Sequence, residues 1–310
     1  MPRADGRGWG TVLAHVAAAV RVRAAQAAAA EVIMRVVVIA THALDAQQRL
    51  FVDAVRRSAD LVGLVKVRPR PVRKPRLRRL ARLMRERGIL HALNFLGGVP
   101  ASALVRPRIY RAVDALLSRR LEGDPAEGVP AADGGVVNSE EEVQAIGRFE
   151  PDLLYQAGPG ITKPQVFQAA PLGMIHIHHG ILPAIRGIAS PEWAVRERKP
   201  LWLGVTLHII DAGLDTGPLV AQARPRVEAG ESWAAVRARL SLLGARLIAE
   251  GIRALADGLK PVPQPPGLPS AYRSNLGLTD WLLFGSRLRG FLRSCSGRDE
   301  QVAIGQFLPQ

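Results

Sequence analysis

The order of apolar and polar positions near the start of the chain predicts a strand, a helix and a second strand. Residues 36–40 form a continuous β-branched run, which is typical of a strand buried on both faces of a parallel sheet. Residues 45–58 place apolar side chains at helical spacing, and residues 61–67 form a second apolar run. This alternation predicts a βαβ unit that opens an α/β domain.

The alternation is interrupted between residues 68 and 122 and then resumes. The interruption begins with prolines and continues through basic and apolar stretches, so we expect a helical basic insertion packed on the edge of the domain. Residues 124–135 are rich in Gly and Pro and are predicted to be a link. The resumed pattern predicts helices over 139–149, 163–170, 191–198 and 232–256, and strands over 151–158, 173–178 and 203–210. We therefore predict an α/β fold with a mostly parallel sheet flanked by helices.

The same patterns divide the chain into three parts. Residues 1–33 are Ala-rich, carry early arginines and lack the compact apolar segment of a signal peptide, so we interpret them as a disordered leader or a mis-assigned start. Residues 34–258 form the α/β domain, and residues 259–310 are expected to be a short C-terminal extension. Because the chain has no run of about 18 apolar residues, we predict no membrane-spanning helix.

The net charge of +15 makes an anionic partner worth considering. Residues 66–87 hold 11 Lys and Arg and one acidic residue, Glu86. Nucleic acid binding through this run stays open, but a solvated helix face is the favoured interpretation. The single cysteine, Cys295, excludes an internal disulfide and indicates a reducing, cytoplasmic compartment.

The turn after the first predicted strand carries no glycine-rich phosphate loop. It reads Ala40-Thr41-His42-Ala43-Leu44, without a GxGxxG or GxxxxGK pattern. Dinucleotide binding and P-loop phosphate chemistry at this turn are therefore disfavoured.

The side chains with the richest chemistry lie between residues 175 and 220. His176 and His178 alternate along a predicted strand, so both project from the same face. With Asp215 in a later loop, they supply the imidazole and carboxylate groups of an acid/base site. Two histidines on one strand can also bind a metal, but the sequence offers no further ligand cluster. His179 on the opposite face and His208 within a strand are predicted to be structural.

Five motifs in a fixed order carry a resemblance to a known family. In chain order they are His176-Ile177-His178, Leu182-Pro183, Arg186-Gly187, Gly204-Val205-Thr206-Leu207-His208 and Leu214-Asp215-Thr216-Gly217-Pro218. Residues 151–220 thereby resemble the 10-formyltetrahydrofolate-dependent formyltransferases, which include methionyl-tRNA formyltransferase and glycinamide ribonucleotide formyltransferase. Residues 34–67 match more loosely. The resemblance implies a Rossmann-like formyltransferase fold over 34–258, with residues 68–122 as the basic helical insertion.

The resemblance also implies roles for individual residues. His178 and Asp215 fall on the family's catalytic histidine and aspartate, and His176 stands where the family has an oxyanion-donating Asn. The formyl donor, 10-formyltetrahydrofolate, is expected to bind as a cosubstrate, and no metal is required. The residues expected to contact it are Gly160, Ile161, Thr162, Lys163, Asp211, Gly213 and Gly217. An intact His178 and Asp215 favour an active formyltransferase over a degenerate folate-binding homologue.

The formyl acceptor is the part that the resemblance leaves open. Glycinamide ribonucleotide transferases carry a phosphate loop after the first strand, which residues 40–44 lack. Methionyl-tRNA formyltransferases carry a C-terminal barrel domain, for which residues 259–310 are too few. A small amine such as an amino sugar nucleotide is therefore favoured. Methionyl-tRNA and glycinamide ribonucleotide stay as alternatives, as does water, which would make the protein a formyltetrahydrofolate hydrolase.

Overall fold

A computed structural model describes residues 33–70, 84–85, 88–158, 160–268 and 270–309. Nearly all of the predicted leader and most of the basic run lie outside the described residues. The strands are β1 (Arg35–Thr41), β2 (Asp60–Arg68), β3 (Ala131–Val136), β4 (Leu153–Gln156), β5 (Met174–His178), β6 (Ile185–Gly187), β7 (Val205–Ile209), β8 (Leu219–Arg224), β9 (Ala271–Arg273) and β10 (Gln301–Ile304). The helices are α1 (Ala46–Arg56), α2 (Ile89–Ser118), α3 (Glu140–Gly147), α4 (Pro164–Phe167), α5 (Ser190–Glu197), α6 (Trp233–Ala256) and α7 (Leu278–Cys295), with a 3-10 turn at Pro200–Trp202.

The described strands form one large sheet in the order β10-β8-β7-β5-β4-β1-β2-β3, and β6 pairs with β9 in a small second sheet. Strands β1 to β5 pair in parallel, whereas β7, β8 and β10 pair antiparallel. The predicted mostly parallel sheet flanked by helices is therefore confirmed. In the described part of the chain, no helix combines the length and apolar character needed to cross a membrane.

Strand β1 is buried on both faces, as its uninterrupted apolar run predicts. Val36 and Val38 pack into one core cluster, which includes Phe51 of α1 and Leu247 of α6. Val37 packs into a second cluster on the opposite face of the sheet. Because helices cover both faces, every side chain of this strand has an apolar environment, and alternation with polar residues is unnecessary.

The helices begin where polar side chains satisfy their first free N–H groups. Asp45 accepts from Gln48 N at the start of α1, Ser139 accepts from Glu142 N at α3, and Ser232 accepts from Ala235 N at α6. These caps confirm the helices predicted over 45–58, 139–149 and 232–256.

The predicted insertion contains one long helix, α2, which packs against α1, α6 and α7. Asp114 on α2 accepts from the N–H of Ala46 at the start of α1, at 2.8 Å. Near the other end, Gly98 lies so close to α7 that an added Cβ would be 2.5 Å from the carbonyl oxygen of Leu276. Residues 89–118 are helical, as predicted, and this helix packs against elements near the candidate site.

The structure corrects the prediction for residues 124–135 and adds strands that were not predicted. The Gly/Pro-rich stretch 124–135 is not simply a link, because it contains most of β3, which pairs with β2. Gly134 belongs there because an added Cβ would be 2.6 Å from Val65 Cγ1. Strand β8 was not predicted, and it pairs with β7. The C-terminal residues supply α7 and also β10, which pairs antiparallel with β8 in the main sheet.

Candidate active site

The structure brings His178, at the end of β5, next to Asp215, in the loop after β7. Nδ1 of His178 lies 3.5 Å from Oδ2 of Asp215, and both side chains are largely buried. The N–H of Gly187 donates to the same carboxylate oxygen at 2.8 Å. Asp215 has a φ of +52°, a left-handed conformation that is uncommon outside glycine. The loop thus holds this carboxylate against the imidazole at some conformational cost.

The far side of the His178 ring determines which nitrogen carries the proton. Nε2 lies 3.1 Å from the carbonyl oxygen of Ile185, which can only accept a hydrogen bond. Ser190 Oγ is 3.4 Å from the same nitrogen. We therefore assign the proton of the neutral ring to Nε2. Nδ1 then presents a lone pair to the Asp215 carboxylate.

His208 faces the same carboxylate, although the sequence analysis predicted only a structural role for it. The register of β5 and β7 sets His208 opposite His176. Its Nε2 is buried, has no hydrogen-bond partner, and lies 3.9 Å from Oδ1 of Asp215. Its Nδ1 lies 2.9 Å from the carbonyl oxygen of Ile209 and so carries the proton. The available signal was the position of this histidine in the Gly-Val-Thr-x-His motif.

The electrostatics keep the two imidazoles neutral beside a charged carboxylate. Burial lowers the pKa of His178, although Asp215 opposes this change. Burial, together with His176, lowers the pKa of His208 to about 3. Burial alone would raise the pKa of Asp215, but the neighbouring imidazoles and the Gly187 N–H hold it below its usual value. Near neutral pH the carboxylate therefore faces two nitrogen lone pairs, and neither imidazole donates a hydrogen bond to it; the N–H of Gly187 does.

His176 lies at the rim of this group and is half-buried. Its Nδ1 is 3.0 Å from the carbonyl oxygen of Gln156, so the neutral ring carries its proton on Nδ1. Its ring meets His208 edge to face, with the centroids 6.0 Å apart. Nε2 of the neutral ring is consequently an acceptor. His176 can donate to an oxyanion through Nε2 only as the imidazolium.

The loop after β4 contains the predicted residues Gly160, Ile161, Thr162 and Lys163. Gln156 links it to His176, since Gln156 Nε2 donates to the Gly160 carbonyl at 2.9 Å and the Gln156 carbonyl bonds His176. Gly160 has a φ of +112°, which favours glycine at this position. Ile161 leaves 71% of its surface exposed, which provides an apolar surface at the site. Thr162 is buried.

Asn138 holds this loop in place and was not identified from the sequence. Its Oδ1 accepts from the N–H of Lys163 at 2.6 Å, and its Nδ2 donates to the carbonyl of Ile161 at 2.9 Å. Glu142 accepts from the N–H of Asn138. A lone Asn after a Gly-rich stretch carries no sequence signal for this role, because its partners are more than twenty residues away.

The loop that carries Asp215 is shaped by the other predicted residues. Asp211 Oδ1 accepts from Thr216 Oγ1 at 2.7 Å and from Gly213 N at 3.1 Å. An added Cβ on Gly217 would be 1.9 Å from the carbonyl oxygen of Ile209, so only glycine fits. Asp211, Gly213 and Gly217 therefore stabilise the loop conformation itself.

Gln264 ties the same loop to the proline-rich segment after α6 and was also missed. Its Nε2 donates to the carbonyl oxygens of Asp215 at 3.0 Å and Gly217 at 2.8 Å. Its Oε1 accepts from Nη2 of Arg186 at 2.7 Å. One half-buried amide thus connects the turn after His178 with the loop that carries Asp215.

Within the described ranges, no group of three or more His, Cys, Asp or Glu side chains has an arrangement that could hold a metal ion. The site as built from these residues is a carboxylate surrounded by imidazoles. Such a group of acceptors suits proton transfer from an amine or a water molecule.

Residues 130–252 match the sequence model of the formyl transferase family. A methionyl-tRNA formyltransferase from Xylella fastidiosa strain 9a5c is 33% identical over 141 residues, which are 45% of this chain and 46% of that protein. The match thus spans about half the length of this curated relative. Among solved structures, the chain is similar to glycinamide ribonucleotide transformylase 1 from Symbiobacterium toebii, with 20% identity, a TM-score of 0.47, and coverage of 73% of this chain and 89% of that chain. It is also similar to a sugar N-formyltransferase from Shewanella sp FDAARGOS_354, with 14% identity, a TM-score of 0.47, and coverage of 80% and 78%.

Proposed function

We propose that this chain, whose residues 130–252 match the sequence model of the formyl transferase family, transfers a formyl group from 10-formyltetrahydrofolate to a small amine. The observation that carries the proposal is the Asp215 carboxylate, which is held between the unprotonated nitrogens of His178 and His208. Neither imidazole donates to the carboxylate, which accepts from the Gly187 N–H, and an attacking amine would supply a further donor. Asp215 is therefore the proton acceptor for the amine, and the two imidazoles position the carboxylate.

Proton transfer from the amine determines the roles of the two catalytic side chains. Asp215 is ionised near neutral pH, because its pKa is held below the usual value by the imidazoles and the Gly187 N–H. Nδ1 of His178 is its nearest basic neighbour at 3.5 Å. A proton taken by Asp215 can move to this nitrogen, which makes His178 the acid that returns it to the leaving nitrogen.

His176 is the residue that stabilises negative charge on the formyl oxygen. Its Nδ1 is committed to the Gln156 carbonyl, so donation requires a proton on Nε2. A cationic imidazole is a stronger hydrogen-bond donor than the neutral amide of an asparagine. The exchange of Asn for His therefore makes oxyanion stabilisation depend on the protonation of His176.

The formyl donor would be held by the loop after β4 and by the loop that carries Asp215. When bound, it supplies a formyl carbonyl carried on nitrogen. Ile161 offers an exposed apolar side chain for a flat ring system, and Gly160 lets the backbone approach a ligand closely. The buried, unpartnered Nε2 of His208 also fits a site that is completed by bound groups.

The acceptor that we favour is a small amine such as an amino sugar nucleotide. The turn after β1 supports this choice, because it has no glycine-rich phosphate loop and the polar side chains beside it bond neighbouring elements. Thr41 Oγ1 lies 2.6 Å from Gln48 Oε1, and Gln48 Nε2 donates to the Ala157 carbonyl at 2.9 Å. Glycinamide ribonucleotide therefore lacks its usual phosphate site at this turn. Methionyl-tRNA remains the second candidate acceptor.

Calorimetric titration with 5-deaza-tetrahydrofolate tests the donor site, and release of tetrahydrofolate from the formyl donor tests the chemistry. We expect binding in the wild type, and release that is accelerated by at least one member of an amine panel. Release that is equally fast without any amine would assign the hydrolase reaction instead. Absence of folate binding at millimolar concentration contradicts the proposed function as a whole.

A further inference from the structure

Helix α2 exposes a continuous apolar face to solvent. Between Ile89 and Val105 the chain has no Asp, Glu, Lys or Arg. The large apolar side chains on this face are between 39% and 79% exposed; they are Ile89, Leu90, Leu93, Leu96 and Leu104, here called the α2 apolar face. Their spacing of three and four residues places most of them along one side of the helix. Contiguous exposed apolar surface of this kind marks an interaction site.

Helix α7 extends the same surface. Leu278 and Leu282 are exposed, at 42% and 66%. The two helices lie side by side here, since an added Cβ on Gly97 would be 3.1 Å from Leu278 Cβ. Trp281 and Ser102 also join the helices through a hydrogen bond of 2.8 Å. The apolar surface is therefore built on a rigid helix pair rather than on a single helix.

Positive charge flanks the α2 apolar face at both ends. Arg85 is exposed before α2 begins, and Arg108 and Arg111 are exposed where the apolar stretch ends. The acidic residues of the two helices are engaged elsewhere. Asp114 accepts from the N–H of Ala46, and the buried Asp280 accepts from the helix start and from Arg196. Arg196 thus balances the charge of Asp280, and Asp114 is directed at the start of α1 instead of at the apolar face.

We propose that the α2 apolar face docks the protein on an anionic lipid surface, with α2 lying in the plane of the interface. Leucines flanked by arginines suit this position, because apolar side chains enter the acyl boundary while guanidinium groups meet the head groups. A second copy of this chain fits less well, because a two-fold interface would bring the same arginines against each other. The basic run 66–87 adds further attraction to the same anionic surface.

Vesicle flotation of the full chain tests the proposal. We expect the wild type to float with phosphatidylglycerol/phosphatidylcholine vesicles at low salt, and much less with phosphatidylcholine vesicles or at high salt. Leu90→Glu and Leu93→Glu should each weaken vesicle binding about tenfold, because each removes an inserted apolar group and adds a repelled charge. Leu116→Glu is the matched control, since Leu116 is exposed on the same helix outside the face, and it should bind like the wild type.

Each alternative occupant gives a different result. No flotation with anionic vesicles at low salt overturns the proposal. Binding that persists in both leucine variants also overturns it, because the basic residues alone would then account for the attraction. A wild-type dimer in sedimentation that Leu93→Glu converts to a monomer assigns the face to a second copy instead. Thermal melts of the variants should match the wild type, because these side chains are already exposed.

Discussion

Gln264 provides a sharp test of how the carboxylate of the site is positioned. Gln264→Ala removes two hydrogen bonds to the Asp215 loop and one from Arg186. At roughly 0.5–1.5 kcal/mol for each bond, and with half-burial of the amide, we expect a loss of about 2 kcal/mol in the free energy of unfolding. Asp215 is then free to leave its left-handed conformation and move away from His178. A displacement of about 1 Å typically lowers turnover up to about a hundredfold.

Two measurements separate this positioning role from a general loss of stability. NMR titration of the His178 ring should show a further lowered pKa, because Asp215 is the group that raises it. Release of tetrahydrofolate from the formyl donor should slow about 10- to 100-fold at temperatures where the variant stays folded. Gln264→Glu should behave like the Ala variant, since its carboxylate cannot donate to the two carbonyls. Gln301→Ala is the control, because it loses a bond to Arg224 far from this loop.

Gln264 has no positioning role if Gln264→Ala loses stability but keeps both the wild-type titration of His178 and the wild-type rate. In that case the loop conformation would be set by the contacts of Asp211, Gly213 and Gly217 alone. An unchanged free energy of unfolding in Gln264→Ala would show that the hydrogen bonds of Gln264 do not stabilise the fold.

Three further predictions follow from the histidines and from the Asp215 loop. Asp215→Asn should lower turnover about 10²–10³-fold while the fold is kept; near-wild-type turnover would contradict the proposed base. His176→Ala should lower formyl transfer about 10²–10³-fold, because it removes the proposed oxyanion donor, whereas His176→Asn, which restores the amide donor of the family, should retain most of it; wild-type turnover in both variants would exclude His176 from the chemistry. Burial lowers the pKa of His179, so below about pH 6.5 unfolding takes up a proton and stability is lost as the pH falls. In denaturant titrations at pH 7, 6 and 5, His179→Leu should reduce the pH dependence of the free energy of unfolding by about 1.4 kcal/mol per pH unit. The control is His42→Gln, which changes an exposed histidine. An unchanged pH dependence in His179→Leu would contradict the effect of burial.

Local patterns predicted the parts of the fold in which each residue's neighbours are close in sequence. The β-branched run of β1, the caps at Asp45 and Ser139, and the alternation along β5 all act within a few residues. His178 and Asp215 were found because their motifs keep a fixed order along the chain. The distance of 3.5 Å between Nδ1 of His178 and the carboxylate could not be predicted, because it depends on how the two loops fold.

The missed features depend on partners that are far away in sequence. Gln264 acts on a loop 49 residues earlier, and Asn138 acts on a loop more than twenty residues later. Strand β8 mixes apolar residues with Gln222, whose side chain is buried because it bonds Leu182 and Leu308 across the fold. The tautomers of the histidines likewise follow from carbonyl groups that only the tertiary structure places against them.

The position of β10 at the end of the main sheet bears on how the protein avoids self-association through its backbone. Strand β8 would otherwise be the terminal strand on that side, with six buried residues and open N–H and C=O groups. Such an exposed edge is a template for pairing with strands of other molecules. The four-residue β10 covers it, and the bond from Arg224 to the Pro309 carbonyl secures the chain beyond it. Residues outside the candidate site thus protect the sheet that carries it from edge-to-edge aggregation.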